Sequence, residues 1–463
     1  MYAMKESPDG SETCKARYVA KGYAQVAGID YKETFSPTAN MTSVRALMQV
    51  AVQEGLILHQ MDVKTAYLHA PMDCEVYMEQ PEGFEVKSKT GEHLVCKLNK
   101  SLYGLKQAGR NWNMLLHDHL TENGFVQNDA DHCVYSRESE KEKVILLVWV
   151  DDLIIASSNN TSLSDVKEML KRRFKMKDMG PLKHFLGIDF VQSEGEIKMT
   201  QKRHIEKMLQ KFGMSECKPR FTPCEQKLDF ASEGEVIDSA GYREIVGSLI
   251  YIMTCTRPDL SWVVSRLSQY LAEPKQQHWT AAKHLLRYLK GTASQELHFR
   301  KCEKNPQLEG YSDADWASDH SDRRSTTGYC FSLTENGPVI SWKSRKQPTV
   351  ALSTCEAEYM ALGATTQESM YLVQLLKGID SGNKHIPVKI YEDNQGAIAL
   401  TKNPVCRQRS KHVDIKFHFV RSAHAQGKIH IEYCPTADMV ADVLTKPVTK
   451  SKFERFKGYL FGE

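Results

Sequence analysis

The sequence predicts a mixed chain of the α+β or α/β class, on three observations. Short apolar runs of strand length alternate with helix-period patterns as far as residues 221–224. A helical stretch follows, and a second β-rich unit opens at Leu308 and runs almost to the C-terminus. In order along the chain, residues 56–61 (LILHQM) read as a strand ending at Asp62, and 144–150 (VILLVWV) with 153–155 (LII) read as a hairpin with Asp151 and Asp152 at its tip. Composition turns polar and acidic from 224 through Asp238, as in a linker or long loop. Apolar spacing of three and four then predicts helices over 242–254, 260–271 and 278–289, with a break at Arg257, Pro258 and Asp259. After a loop at 301–307, strands are expected over 308–316 and 388–393, and helices from Ser353 and from Thr436.

Two carboxylates beside buried strands repel each other and lose hydration, so Asp151 and Asp152 are costly unless bonded or neutralised by a cation. Asp-Asp is common in ordinary turns, but the apolar flanks and a third acid, Asp62, favour a site for hard, oxygen-loving cations. Trp149 is expected to share a face with Asp151 by strand alternation. A second acidic set lies downstream. Asp313 and Asp315 fall near the end of one strand and Asp393 at the end of another. Ser353 with Glu356 fits a capping box, which leaves Glu358 as the better ligand. Asp438 suits the first turn of a helix capped by Thr436, whereas Asp442, a turn later, is too deep for capping and is expected to join the site.

The chain has 463 residues, 41% hydrophobic and 26% charged, as expected of a soluble globular protein of two to four domains. No apolar stretch nears the roughly 18 residues that span a bilayer, and the N-terminus is not a signal peptide. The expected location is therefore intracellular, cytoplasmic or nuclear, without secretion or membrane partners. Twelve cysteines are scattered without a Cys-x-x-Cys pair, which excludes a zinc module and a disulfide framework from the expectation. The net charge of +3 conceals basic clusters around Lys171–Arg173, Lys202–Lys211, Lys283–Lys290 and Arg407–Lys416. Each alone reads as a solvated face; together with metal-binding acids they point to a phosphate backbone.

Ordered motifs carry a family resemblance over essentially the whole chain: KARYVAKG (15–22), IDYKETFSP (29–37), QMDVKTAYL (60–68), YMEQPEGF (77–84), SLYGLKQ (101–107), VDD (150–152) and FLGI (185–188). They continue with YSDADW (311–316), STCEAEY (353–359), EDNQ (392–395), KHVD (411–414) and ADVLTK (441–446). The chain resembles the reverse transcriptase and ribonuclease H region of copia-type long-terminal-repeat retrotransposon Pol polyproteins. The resemblance implies a right-hand polymerase of fingers, palm and thumb followed by a ribonuclease H-like domain. Its expected divisions are fingers and palm over 1–224, N-terminally truncated because Met1 falls inside the fingers, then linker with thumb or connection over 225–300. The ribonuclease H-like domain is expected over 305–447 and a tail over 448–463.

The same resemblance implies two Mg2+ ions per site, with Mn2+ as a substitute: on Asp62, Asp151 and Asp152 in the palm, Asp151 having the stronger role, and on Asp313, Glu358, Asp393 and Asp442 downstream. Lys15, Arg17, Tyr67, Tyr103 and Lys106 would meet the nucleotide, Tyr67 excluding a 2′-hydroxyl. Trp149, Phe185, Leu186 and Gly187 would meet the primer end. The implied partners are an RNA template, a DNA or tRNA primer, an RNA-DNA hybrid and dNTPs. Two residues depart from the family pattern: Trp149 replaces a tyrosine, and Gly109 replaces a proline, loosening the backbone. Three hypotheses follow: a polymerase with hybrid-specific ribonuclease, a relic that only binds nucleic acid, and a chain active only in its ribonuclease H half.

Overall fold

The computed structural model describes residues 2–6, 12–225, 230, 234–319, 321–380, 382, 385–402 and 411–463, with the side chains of 2–6, 12–16 and 411–417 left out. It divides into two compact units, Met1–Ala39 with Ile57–Pro181, and Asn40–Leu56 with Leu182–Glu463. The division expected at 224, drawn from the change in composition and the family resemblance, is not among these cuts.

The first unit is built on a six-stranded sheet in the order Met176–Pro181, Ile57–Val63, Asp152–Ser157, Lys143–Trp149, Val134–Glu138 and Val126–Gln127. Its neighbouring strands are antiparallel. Alternation sorts its side chains between two faces. Met61, Val63, Val144, Leu146, Val148, Leu153 and Ile155 form one core with Trp112, Leu116 and Leu120 of helix Ala108–Glu122 and with Leu163, Val166 and Leu170 of helix Asn160–Arg173. Each such aliphatic side chain contributes about 1.5–3 kcal/mol by burial. The intervening residues Asp62, Trp149 and Asp152 therefore project from the opposite face. Gly109, in the first turn of the Ala108–Glu122 helix, is helical rather than loose.

In the second unit, His184–Phe185, Ile188–Ser193, Glu196–Thr200 and Leu297–Arg300 form a four-stranded sheet in that order. The expected helices occur at Ser239–Cys255, Ser261–Ser268 and Gln276–Gly291. The middle one begins one residue later than expected, after a separate 3-10 turn at Pro258–Leu260, and ends three residues earlier, at Ser268. Asp238 caps the first through the Ala240 and Gly241 amides. A five-stranded sheet follows, ordered Val339–Lys346, Thr326–Ser332, Glu309–Asp315, Val388–Glu392 and Ile429–Tyr433. Its first three strands are antiparallel and its last two join in parallel. Helix Thr354–Lys377 packs on this sheet, which lies within the residues expected to form the ribonuclease H-like domain.

Buried arginines tie this unit together. Arg45, from helix Met41–Glu54, donates from Nε to the Ile340 carbonyl at 2.6 Å and from Nη1 to the Thr254 and Cys255 carbonyls at 2.7 and 3.0 Å. Those last two carbonyls end a helix, where partial negative charge favours a cation. Its guanidinium also lies 3.8 Å from the centre of the Trp342 ring. Arg257 and Asp259, both buried, form a two-pronged pair at 3.0 and 2.7 Å, and Tyr288 donates to the same carboxylate at 2.6 Å. Among the described residues, no helix is long and apolar enough to cross a membrane.

Two candidate active sites

The upstream acids sit where the hairpin folds back. Its strands are Lys143–Trp149 and Asp152–Ser157, so Val150 and Asp151 alone make the turn. Val150 has φ 55°, a left-handed conformation that costs a β-branched residue about 1–3 kcal/mol unless its surroundings impose it. They do: the Trp112 indole donates to the Val150 carbonyl at 2.8 Å, and the Val63 amide donates to the Asp151 carbonyl at 2.7 Å. Asp62 and Asp152 are direct cross-strand partners, and Asp152 also opposes Trp149. Trp149 thus shares a face with Asp152 and Asp62. The expectation that it would share one with Asp151 fails because Asp151 belongs to the turn, where strand alternation no longer applies.

The Tyr103 hydroxyl donates to Asp151 Oδ2 at 2.9 Å. Burial, and then the charge of Asp151, raises the Tyr103 pKa well above the usual phenol value, so it remains a donor. The Tyr67 ring lies 4.6 Å from that of Tyr103, and the Arg17 guanidinium 5.5 Å from the latter. Lys106 is exposed, with Nζ 3.1 Å from the Tyr31 hydroxyl. Lys15 lies on the strand Glu12–Ala16, and its side chain is outside the described residues. Phe185, Leu186 and Gly187 belong to the second unit, where Leu186 and Gly187 form a tight turn with φ 51° and 73°. The Tyr251 hydroxyl donates to the Leu186 carbonyl.

Downstream, Asp313 on the Glu309–Asp315 strand, Glu358 in the second turn of the Thr354–Lys377 helix and Asp393 just beyond the Val388–Glu392 strand converge, one ligand atom of each lying within 4.8 Å of the others. Among the described residues no other group of three acid, histidine or cysteine ligands is so close; Asp62, Asp151 and Asp152 do not gather as tightly. Helix capping explains the placement of Glu358. Ser353 accepts from the Glu356 amide at 3.2 Å and Glu356 accepts from the Leu352 amide at 2.7 Å, which leaves Glu358 facing the sheet. Glu358 Oε2 is buried with no hydrogen-bond partner. Burial, then the neighbouring Glu392 and Asp313, pushes the Glu358 pKa strongly up, and Asp313 is raised by burial as well. All-oxygen donors, crowded and raised in this way, fit a hard divalent cation.

Asp442 is placed differently from expectation. The Thr436 helix is not formed; the chain instead makes a 3-10 turn, Val440–Leu444, entered from Met439, and Asp438 pairs with Arg455. Buried Asp442 is held by two lysines, Lys446 at 2.6 Å from Oδ1 and Lys452 at Oδ2. Lys446 also lies 3.7 Å from Asp313 Oδ2, which accepts from the Thr445 hydroxyl. The two acids raise the Lys446 pKa against the effect of burial. Sequence reasoning assigned no role to Lys446, Lys452, Tyr251 or the fully buried Glu392. The four-residue spacing of Asp442 and Lys446 was the one available signal, and it equally describes an ordinary surface pair.

One sheet carrying paired aspartates, followed in the chain by a second carrying an acid trio, is the arrangement expected of a reverse transcriptase fold followed by a ribonuclease H-like domain. Residues 1–226 match the family model for reverse transcriptase (RNA-dependent DNA polymerase). The sequence is 41% identical over 454 residues to the retrovirus-related Pol polyprotein from transposon TNT 1-94 of Nicotiana tabacum, covering 96% of this chain and 34% of that one. It is 34% identical over 312 residues to a transposon Ty5-1 protein of Saccharomyces cerevisiae, covering 66% of this chain and 100% of that one. The solved foamy viral protease-reverse transcriptase dRH in complex with ds DNA shares the fold, with TM-score 0.52 and 11% identity over 94% of this chain and 64% of that one. The chain belongs to the copia-type retrotransposon Pol family and spans about a third of the length of the Pol polyprotein it matches.

Proposed function

We propose that this chain performs RNA-directed DNA synthesis at Asp62, Asp151 and Asp152. It would cleave the RNA strand of RNA-DNA hybrids at Asp313, Glu358, Asp393 and Asp442, both activities serving retrotransposition. The observation that carries the proposal is the convergence of Asp313, Glu358 and Asp393 around a buried, unbonded carboxylate oxygen in a chain of this family. Mg2+ or Mn2+, two per site when bound, supplies the charge that lowers the pKa of an attacking hydroxyl or water and steadies the leaving oxygen.

The residues themselves hold and select. Tyr103 orients Asp151, and Trp149, on the face of Asp62 and Asp152, offers the primer end a flat platform. Lys15, Arg17 and Lys106 would bind the triphosphate of a dNTP, while the Tyr67 ring would clash with a 2′-hydroxyl. The Phe185, Leu186 and Gly187 turn would seat the primer terminus, whether DNA or tRNA, on an RNA template. Functionally the divisions are 1–224, 225–300, 305–447 and 448–463. One observation favours a second proposal, activity in the nuclease half alone: its acids are gathered, whereas the upstream three are not.

Primer extension on an RNA template and cleavage of a labelled hybrid, both with Mg2+, separate these proposals. Asp151→Asn should lower extension at least about a hundredfold, ~2.7 kcal/mol of barrier, and spare cleavage; Glu358→Gln should do the reverse. Equal loss of both activities in either folded variant would sink the two-site proposal, and cleavage without extension in the parent chain selects the nuclease-only one. In the same extension assay Tyr67→Val should admit ribonucleotides, and unchanged selection would remove Tyr67 from the nucleotide pocket.

A further inference from the structure

Four acids are proposed for the nuclease site, yet only three share one close group. The fourth, Asp442, stands across a lysine from Asp313: the Lys446 ammonium is 2.6 Å from Asp442 Oδ1 and 3.7 Å from Asp313 Oδ2. Both carboxylates are at most 2% exposed at the side chain, whereas Lys446 is 34% exposed. Two buried carboxylates without a cation between them would destabilise the fold. An ammonium on a four-carbon stem neutralises them as a point charge and, unlike a guanidinium locked in a fork, can leave.

We propose that Lys446 is a built-in counter-ion that stands between Asp313 and Asp442 in place of the second divalent cation, which binds only when the lysine swings out to solvent. The inference rests on the two-cation nuclease proposed above and deepens it by giving the two cations an order. The trio Asp313, Glu358 and Asp393 takes the first without rearrangement. The second competes with the lysine, so its apparent affinity falls by the fraction of time that the lysine is away. Lys452, on the other oxygen of Asp442, keeps that carboxylate pointed inward when Lys446 departs.

The test counts bound Mn2+ by electron paramagnetic resonance and reads thermal midpoints in EDTA and in Mg2+. Every arm carries Asp151→Asn to weaken the upstream site equally. Lys446→Met should bind the second ion at least about tenfold more tightly than its parent. It should also have a lower midpoint in EDTA and recover more of it with Mg2+. A second-ion affinity that is unchanged or weaker in folded Lys446→Met overturns the inference. If that variant fails to fold with or without Mg2+, Lys446→Arg decides: weaker second-ion binding than the parent supports the inference, and unchanged binding overturns it. Hybrid cleavage by the unsubstituted chain is measured alongside. Intact cleavage with no effect at position 446 removes only the lysine's role; no cation bound near the trio in any arm removes the nuclease proposal itself.

Discussion

Glu309 begins the strand that carries Asp313, but its burial has another consequence. Its carboxyl is 9% exposed and accepts from Tyr459 at 3.3 Å, and burial raises its pKa from 4.5 to about 7. Between these values the unfolded chain has released the proton and the folded chain still holds it. The contribution of Glu309 to stability therefore falls as pH rises from about 4.5 to 7 and is lost above, by roughly 3 kcal/mol. Because buried Asp313 and Glu358 are raised as well, urea midpoints across that window should fall less steeply in Glu309→Gln than in the parent chain, by about that contribution; parallel curves would show that Glu309 ionises normally. At this scale the acids were legible because a charge among apolar residues needs a physical reason. Lys446 and Tyr251 were not, since a lysine four residues from an aspartate, or a tyrosine in a helix, carries no such conflict.

Turns decide what the elements present. The hairpin carrying Asp151 was legible from two apolar runs, but its length was not: only the pairing of Trp149 with Asp152 puts Asp151 in the turn and moves Trp149 to the face of Asp62. The Leu186 and Gly187 turn illustrates the same dependence. Gly187 has φ 73°, and a Cβ there would lie 2.7 Å from the Tyr251 hydroxyl oxygen, which is already bonded to the Leu186 carbonyl. Gly187→Ala combines an unfavourable left-handed alanine with a displaced hydrogen bond and should cost about 2 kcal/mol. Tyr251→Phe removes the colliding atom, so the double variant should lose less than the sum of the singles. Strict additivity in denaturant unfolding would mean that the ring does not constrain the turn.

For the whole molecule, compactness and chain order diverge. Helix Met41–Glu54 lies among residues matching the reverse transcriptase family, yet it belongs to the second unit, and Arg45 bonds to Ile340 across 295 positions. Arg45→Ala removes a buried cation from three carbonyls and a tryptophan face, and should cost about 3–5 kcal/mol. Thermal inactivation of hybrid cleavage should move to lower temperature, although the substitution is remote in sequence from every nuclease acid. An unchanged inactivation temperature would favour an independent nuclease domain beginning near residue 305. The sequence by itself pointed to the mixed fold class and the candidate acids, because hydrophobic periodicity, turn residues and misplaced charges are local properties that a linear reading detects; the family followed from its ordered motifs. Only the tertiary structure decided which acids meet, that a lysine stands between two of them, and which unit the Met41–Glu54 helix joins. Those depend on strand register and on contacts between distant residues, where one step of register or one buried cation changes the outcome without changing the local pattern.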